Sequence, residues 1–169
     1  MKFKFKLDVN DLFRFSLIHS YTGSGGIFSA IVGIIGIVMI VQGVALGAGI
    51  SKAIVGLVML ALFFGLNPAM LYLKTKRQAE NNMMYQTETE CEFDEEGMHI
   101  HIGEQNGGIL WNEVQRVQYL LGLYMLYTGP KTAFVFNEKK LGAQAQNIMN
   151  YIYSHVGAHV KLPKGAVRK

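Results

Sequence analysis

Charge is scarce in this chain: only 17% of its 169 residues are Asp, Glu, Lys or Arg, and the net charge of +4 is spread thinly. No basic block exceeds the cluster from Lys74 to Arg77, so nucleic acid as a partner lacks its electrostatic footprint. The single cysteine, Cys91, excludes an intramolecular disulfide. With no Lys or His beside it in sequence to lower its pKa, it reads as a small buried hydrophobe rather than a reactive thiol. No phosphate loop is present, because the GSGG at Gly23–Gly26 lacks the following Lys-Ser/Thr. What is abundant is apolar: half the residues are hydrophobic and 19 are glycine, a composition that points to a membrane.

The apolar residues are concentrated in two runs. Ile27 to Ile50 contains one strongly polar side chain, Gln42, and Ala53 to Leu73 is free of charge. Each meets the roughly 20 residues needed to cross a hydrocarbon core. A soluble core helix is the alternative, but the remaining chain is too short to surround two such runs. A cleaved signal peptide is excluded by a first run far longer than an h-region of about 7–15 residues and followed at once by a second. With Ser51 and Lys52 as the link, the two helices are expected to form an antiparallel hairpin, with Gly43, Gly47, Ala61 and Gly65 permitting close approach. Pro68, after Asn67, is expected to kink the second helix. Lys2, Lys4, Lys6 and Arg14 precede the hairpin and Lys74, Lys76 and Arg77 follow it, against Lys52 alone in the loop. The positive-inside rule then places a multi-pass protein in the plasma membrane with both termini cytoplasmic. Gln42 and Asn67 read as hydrogen-bonding within the hairpin or between subunits rather than as a transport path.

The rest reads as α+β. KFKFKLDV alternates strictly, giving a strand over residues 2–9, and Asn10-Asp11 is a plausible cap for a short interfacial helix. The glycines of GSGG then turn the chain into the bilayer. In YQTETECEF, Glu88, Glu90 and Glu92 share one face, at the spacing of Lys2, Lys4 and Lys6. The two segments are expected to pair antiparallel, lysines opposite glutamates. Met98–Ile102 is the next strand, EQNGG a turn, and Ile109–Trp111 with NEVQRVQYL a further strand, irregular near Asn112. Leu123–Thr128 and Thr132–Asn137 flank a Gly-Pro-Lys turn. A C-terminal helix carries an apolar stripe of Leu141, Ala145, Ile148, Met149, Ile152 and Val156, with Gly157 as terminator and a loose basic tail beyond. The expected divisions are 1–26, 27–73, 78–157 and 158–169.

Two short-linked spans after an N-terminal strand, the segment GGILWNEVQRVQY, the hairpin LYMLYTGPKTAFVFN and a final helix together resemble the YcxB-like family. The resemblance covers essentially the whole chain and rests on Ile109, Leu110, Trp111, Val114 and Val117, which are fold signatures. It implies a bacterial membrane protein with a pleckstrin-homology-like (PH-like) cytoplasmic domain, a strongly bent antiparallel sheet closed by one helix. The chain departs from the family at Asn137-Glu138-Lys139, where a Pro followed by basic residues is common, so no ligand site is carried over there.

Side chains with chemistry are few and dispersed. His99 and His101 project from one strand face, but no third ligand accompanies them, so no metal site is assigned. The carboxylates from Glu88 to Glu96 have no positioned nucleophile or base and read as solvated or lysine-paired. Trp111 is a core or interface anchor. No catalytic, cofactor-binding or metal residue is therefore expected. The leading expectation is a non-enzymatic, membrane-anchored module that binds a protein, peptide or lipid headgroup near the bilayer. An added peptide strand is one concrete form of it, which requires an uncovered sheet edge. The alternative is a homo-oligomeric subunit of a transport or channel assembly; an enzyme ranks last, since it requires a pocket joining a histidine to a carboxylate.

Overall fold

The computed structural model describes residues 1–22, 24–130 and 132–166. The protein is α+β and divides into two units, one formed by Ser16–Arg77 and the other by Met1–Phe15 with the chain from Gln78 onward.

The helical unit holds the second half of α1 (Val9–Thr22), α2 (Ser24–Val44), α3 (Ile50–Leu60) and α4 (Asn67–Glu80) as far as Arg77, with a π-helical segment, Ala61–Leu66, joining the last two. Two of its helices are long and apolar enough to cross a membrane, Gly25–Val44 and Ile50–Glu80. Only 28% and 6% of their most apolar stretches are buried within the chain, far less than in the core helix of a soluble protein. Ile27, Ile34, Leu57 and Met70 are among the large side chains left uncovered.

The link differs from the expectation. Ser51 and Lys52 lie inside α3, and the turn is Ala45–Gly49, where Gly47 (φ 66°) and Gly49 (φ 100°) adopt positive φ, Gly49 at the N-terminal cap of α3. Hydropathy could not place this turn, because every residue in it is apolar. Close approach uses Gly43, as expected, but with Gly36 and Gly56 rather than Gly47 and Gly65. A Cβ on Gly56 would lie 2.4 Å from the Gly36 carbonyl, and one on Gly43 would lie 2.8 Å from the Ala53 methyl, whereas Gly47 sits in the turn and Gly65 meets nothing within 4 Å. Ala61 opens the widened segment instead. Of the GSGG motif, Gly23 lies outside the described residues, and Gly25 and Gly26 are helical rather than a turn. A Cβ on Gly26 would stand 1.8 Å from the Tyr21 carbonyl, so glycine is needed there for the closeness of two backbones.

Pro68 acts through the π-helical segment, and the helix continues past it. The Asn67 N–H donates to the Leu62 carbonyl, five residues back. In that register the next donor is Pro68, which has no N–H, so the Phe63 carbonyl is left without a helical partner. The Tyr21 hydroxyl donates to it at 3.2 Å.

The second unit holds a four-stranded sheet in the order β1 (Lys2–Phe5), β2 (Thr89–Phe93), β3 (Gly97–Ile102), β4 (Gln105–Leu110), and a three-stranded sheet of β5 (Arg116–Leu120), β6 (Leu123–Tyr127) and β7 (Ala133–Asn137). All strand pairings within them are antiparallel. The lysine–glutamate register is as expected: Lys2 pairs with Glu92 and Lys4 with Glu90, each through an ion pair. The ladder stops at Phe5, so Lys6 and Glu88 are outside it, and residues 6–9 are not strand. The reason is the next helix, which starts at Val9 rather than after Asn10-Asp11. Asp8 caps it: the Asp11 N–H donates to Asp8 Oδ1 and the Asp8 N–H to Asp11 Oδ2, both at 3.0 Å.

Of the polar segment Gln78–Met83, Gln78–Glu80 end α4, Asn81 and Asn82 form the link, and Met83 opens α5 (Met83–Gln86). EQNGG is not a turn. The turn is Gly103-Glu104, with Gly103 at φ 59°, and Gln105–Gly108 pair with β3. The single strand expected from Ile109 onward is two: Trp111–Glu113 form a 3-10 turn that ends β4, and the chain continues as β5 in the other sheet. Lys131, in the Gly-Pro-Lys turn, lies outside the described residues.

The core is aromatic. Phe3 meets Phe93 at 5.2 Å between ring centroids, Phe5 meets Phe136 at 5.3 Å, and Phe93 meets Trp111 at 5.5 Å, so β1 and β2 pack against β7. Every residue of β6 is buried. The stripe from Leu141 to Val156 is buried as expected, in α6 (Glu138–Leu141) and α7 (Ala145–His155), and Tyr151 stacks on Phe93. Gly157 does not terminate the helix with left-handed geometry; Val156 does so with extended backbone. The tail is partly docked: Val160 is buried and the Val117 N–H donates to the Lys161 carbonyl at 2.9 Å. Val167–Lys169 lie outside the described residues.

Candidate functional site

The sheet order leaves β4 paired on one side only, with no strand on its outer edge among the described residues. Gln105, Asn106, Gly107 and Gly108 are exposed, and two of the four have no side chain to shield the backbone. Beside this edge lies a cleft of about 310 Å³. Ile100 and Ile102 of β3, Phe134 of β7, Leu7 and Phe15 form much of its apolar wall. A free N–H and C=O row next to an apolar trough is the geometry that accepts an extended peptide, the backbone pairing with the edge and alternate side chains entering the trough. Tyr85 also lines the cleft. Burial, then the Asp11 carboxylate, pushes its phenol up, so it stays protonated and able to donate.

The residues singled out in the sequence are not gathered there. His99 Nε2 contacts Asp94 Oδ2 and His101 Nδ1 contacts Asn106 Oδ1, each at 2.7 Å, so the two imidazoles face different partners. Among the described residues no group of three or more His, Cys, Asp or Glu is placed to hold a metal. Glu90 and Glu92 pair with lysines, and Asp94 closes a turn by accepting the N–H groups of Glu96 and Gly97 at 2.9 Å. The Gly97 N–H foremost holds the Asp94 carboxyl below its usual range. Cys91 is 1% exposed, and burial pushes its thiol up to about 12. Trp111 is a core residue, its indole N–H donating to the Asp94 carbonyl at 3.0 Å. In the helical unit the contacts of Gly43 with Ala53 and of Gly33 with Phe64 fix the register, placing Gln42 and Asn67 at different levels. They are therefore too far apart along the hairpin to hydrogen-bond to each other.

Two features escaped the sequence reading. The cleft was hidden because Gln105–Gly107 carry turn residues yet form strand. The other is a buried polar network: Asp11, 2% exposed, accepts hydrogen bonds from Asn137 Nδ2 and from Lys140 Nζ (2.6 Å), while Lys140 also pairs with Asp8 at 2.9 Å. The Asp8/Asp11 spacing was its only sequence signal. No family model, curated protein sequence or solved structure matches this chain.

Proposed function

We propose that the protein is a membrane-anchored, non-enzymatic binding module, its two long apolar helices crossing the plasma membrane and its β-rich unit taking up an extended peptide at the β4 edge. The observation that carries the reading is the uncovered β4 edge beside an apolar cleft. The membrane part is supported by the exposure of both apolar helices: so much uncovered apolar surface in water is unfavourable at about 25 cal/mol per Å². The basic residues flanking the hairpin favour termini on the cytoplasmic side. The antiparallel strands and the final helix α7 support the resemblance to YcxB-like, PH-like proteins, which implies one bent sheet closed by a helix, whereas here the strands form two sheets. A transport assembly has less support, since Gln42 and Asn67 stand at different levels of the hairpin.

The test is photocrosslinking in cells from a reactive residue at Asn106. Crosslinks to a defined extended segment of another protein are expected. They should disappear in Gly107→Lys, which sets a charge at the cleft mouth, where a Cβ meets nothing within 4 Å and the fold is undisturbed. Crosslinks to lipid alone, or capture unchanged by Gly107→Lys, would sink the proposal.

A further inference from the structure

A second depression, of about 240 Å³, lies away from the β4 edge and is bordered by Tyr119, Tyr124, Glu138, Tyr153 and Lys164 among others. Its charged groups are one carboxylate and one ammonium. Neither Glu138 nor Lys164 takes part in a salt bridge among the described residues. Glu138 is held in place rather than left loose, because the Tyr119 hydroxyl donates to its Oε2 at 2.6 Å. Tyr119 in turn lies against Tyr124, with ring centroids 4.6 Å apart.

Tyr153 is the second observation. It is 5% exposed, it lines the depression, and its hydroxyl has no hydrogen-bond partner among the described residues. Its oxygen is not sealed from solvent, so it is open to a ligand atom entering the depression. The Glu138 hydrogen bond foremost pushes the Tyr119 phenol up, burial and then Glu138 push up Tyr124, and burial pushes Tyr153 to about 12. All three phenols are neutral at physiological pH, and the negative charge of the depression is that of Glu138. Aromatic rings beside a fixed carboxylate favour an organic cation, through the ring faces as well as the charge. Lys164 at the rim would repel a simple cation but attract a negative group carried next to one. The volume falls below the usual range of about 300–1,000 Å³ for drug-sized ligands, so the ligand is small.

We propose that this depression binds a small zwitterion, its ammonium group seated against the Glu138 carboxylate and the Tyr153 hydroxyl and its anionic group towards Lys164. A phosphorylated amine has this chemistry whether free or as a lipid headgroup.

The test is calorimetric titration of the full chain, in nanodiscs of phosphatidylglycerol, with phosphorylethanolamine, ethanolamine and inorganic phosphate. Phosphorylethanolamine should bind at least about tenfold more tightly than either half alone, the difference expected of one added charged hydrogen bond. Glu138→Gln, which keeps the Tyr119 bond, and Lys164→Met should each weaken it by roughly tenfold, with thermal unfolding unchanged. Tyr153→Phe should weaken it several-fold, and Gly107→Lys should leave it intact. If phosphatidylethanolamine in the nanodisc suppresses binding, the natural source is the lipid headgroup; if it does not, the source is soluble; either result upholds the site. No binding by any probe, or equal binding by Glu138→Gln, overturns it.

Discussion

At the scale of single residues, Tyr21 shows how a local vacancy is filled from a distance in sequence. Its hydroxyl satisfies the carbonyl that Pro68 leaves open, which in the proposed bilayer setting would cost more unpaired than in water. Tyr21→Phe removes only the hydroxyl. It should destabilise the helical unit by about 1–3 kcal/mol, read as a lower midpoint in detergent unfolding, while Pro68→Ala in the same background should recover part of the loss by restoring the missing donor. An unchanged midpoint in Tyr21→Phe would show that the carbonyl is satisfied otherwise. Residue-level legibility followed the same line. Alternation announced that Thr89, Cys91 and Phe93 face inward, because a strand has a period of two. Nothing in the sequence announced Tyr21, since its partner lies 42 residues away.

At the scale of elements, the N-terminus of α1 is fastened to the start of α6 by charge. Burial pushes the Asp8 carboxyl up, but the Lys140 hydrogen bond and the N–H groups of Asp11 and Asn10 outweigh it and hold it below its ordinary 3.8. Burial likewise works to lower the Lys140 ammonium, and Asp11 and Asp8 outweigh it, holding it above its ordinary 10.5. A carboxyl with a depressed folded pKa contributes stability that is complete above its unfolded value and is lost as pH falls through the folded one. An ammonium with a raised pKa contributes stability that is complete below its unfolded value and is lost as pH rises through the folded one. Protection of α1 amides from hydrogen exchange should therefore be greatest between these limits and fall below pH 3.8 and above pH 10.5. Lys140→Met should lower protection across the plateau and flatten both limbs; pH limbs that survive this change would assign them to other groups. Elements were legible where a period was unbroken, as in the buried stripe of α6 and α7. They were illegible where residue type and role part company. The residues Gln105–Gly108 read as turn but are held extended by β3, and the apolar Ala45–Gly49 reads as helix but holds two glycines at positive φ.

At the scale of the whole molecule, the proposed topology puts the Ala45–Gly49 turn on one side of the bilayer and the β-rich unit on the other. Cysteines introduced at Ala48 and at exposed Gln144 test it in intact cells with a membrane-impermeant maleimide. Ala48→Cys should label and Gln144→Cys should label only after lysis, while Cys91, 1% exposed with its thiol pushed up to about 12, stays silent until the protein is unfolded. The reverse pattern, or equal labelling of both positions, would refute the topology. The division into units was nearly legible from hydropathy, but their boundaries follow packing, so Ser16–Thr22 cluster with the apolar helices although they are not part of an apolar run.

The placement of β1 ahead of the helices and β2 after them bears on synthesis. The first strand leaves the ribosome early and its partner emerges only when the stretch between Phe5 and Thr89 has been made. Until then Phe3 and Phe5 have no sheet to join, and closing so long a flexible loop is entropically costly, whereas a formed hairpin shortens the loop in advance. Completion of the sheet is thereby favoured once the helical hairpin has formed. A chain whose hairpin fails keeps an unpaired aromatic strand exposed, a ready signal for the proteases that clear defective proteins.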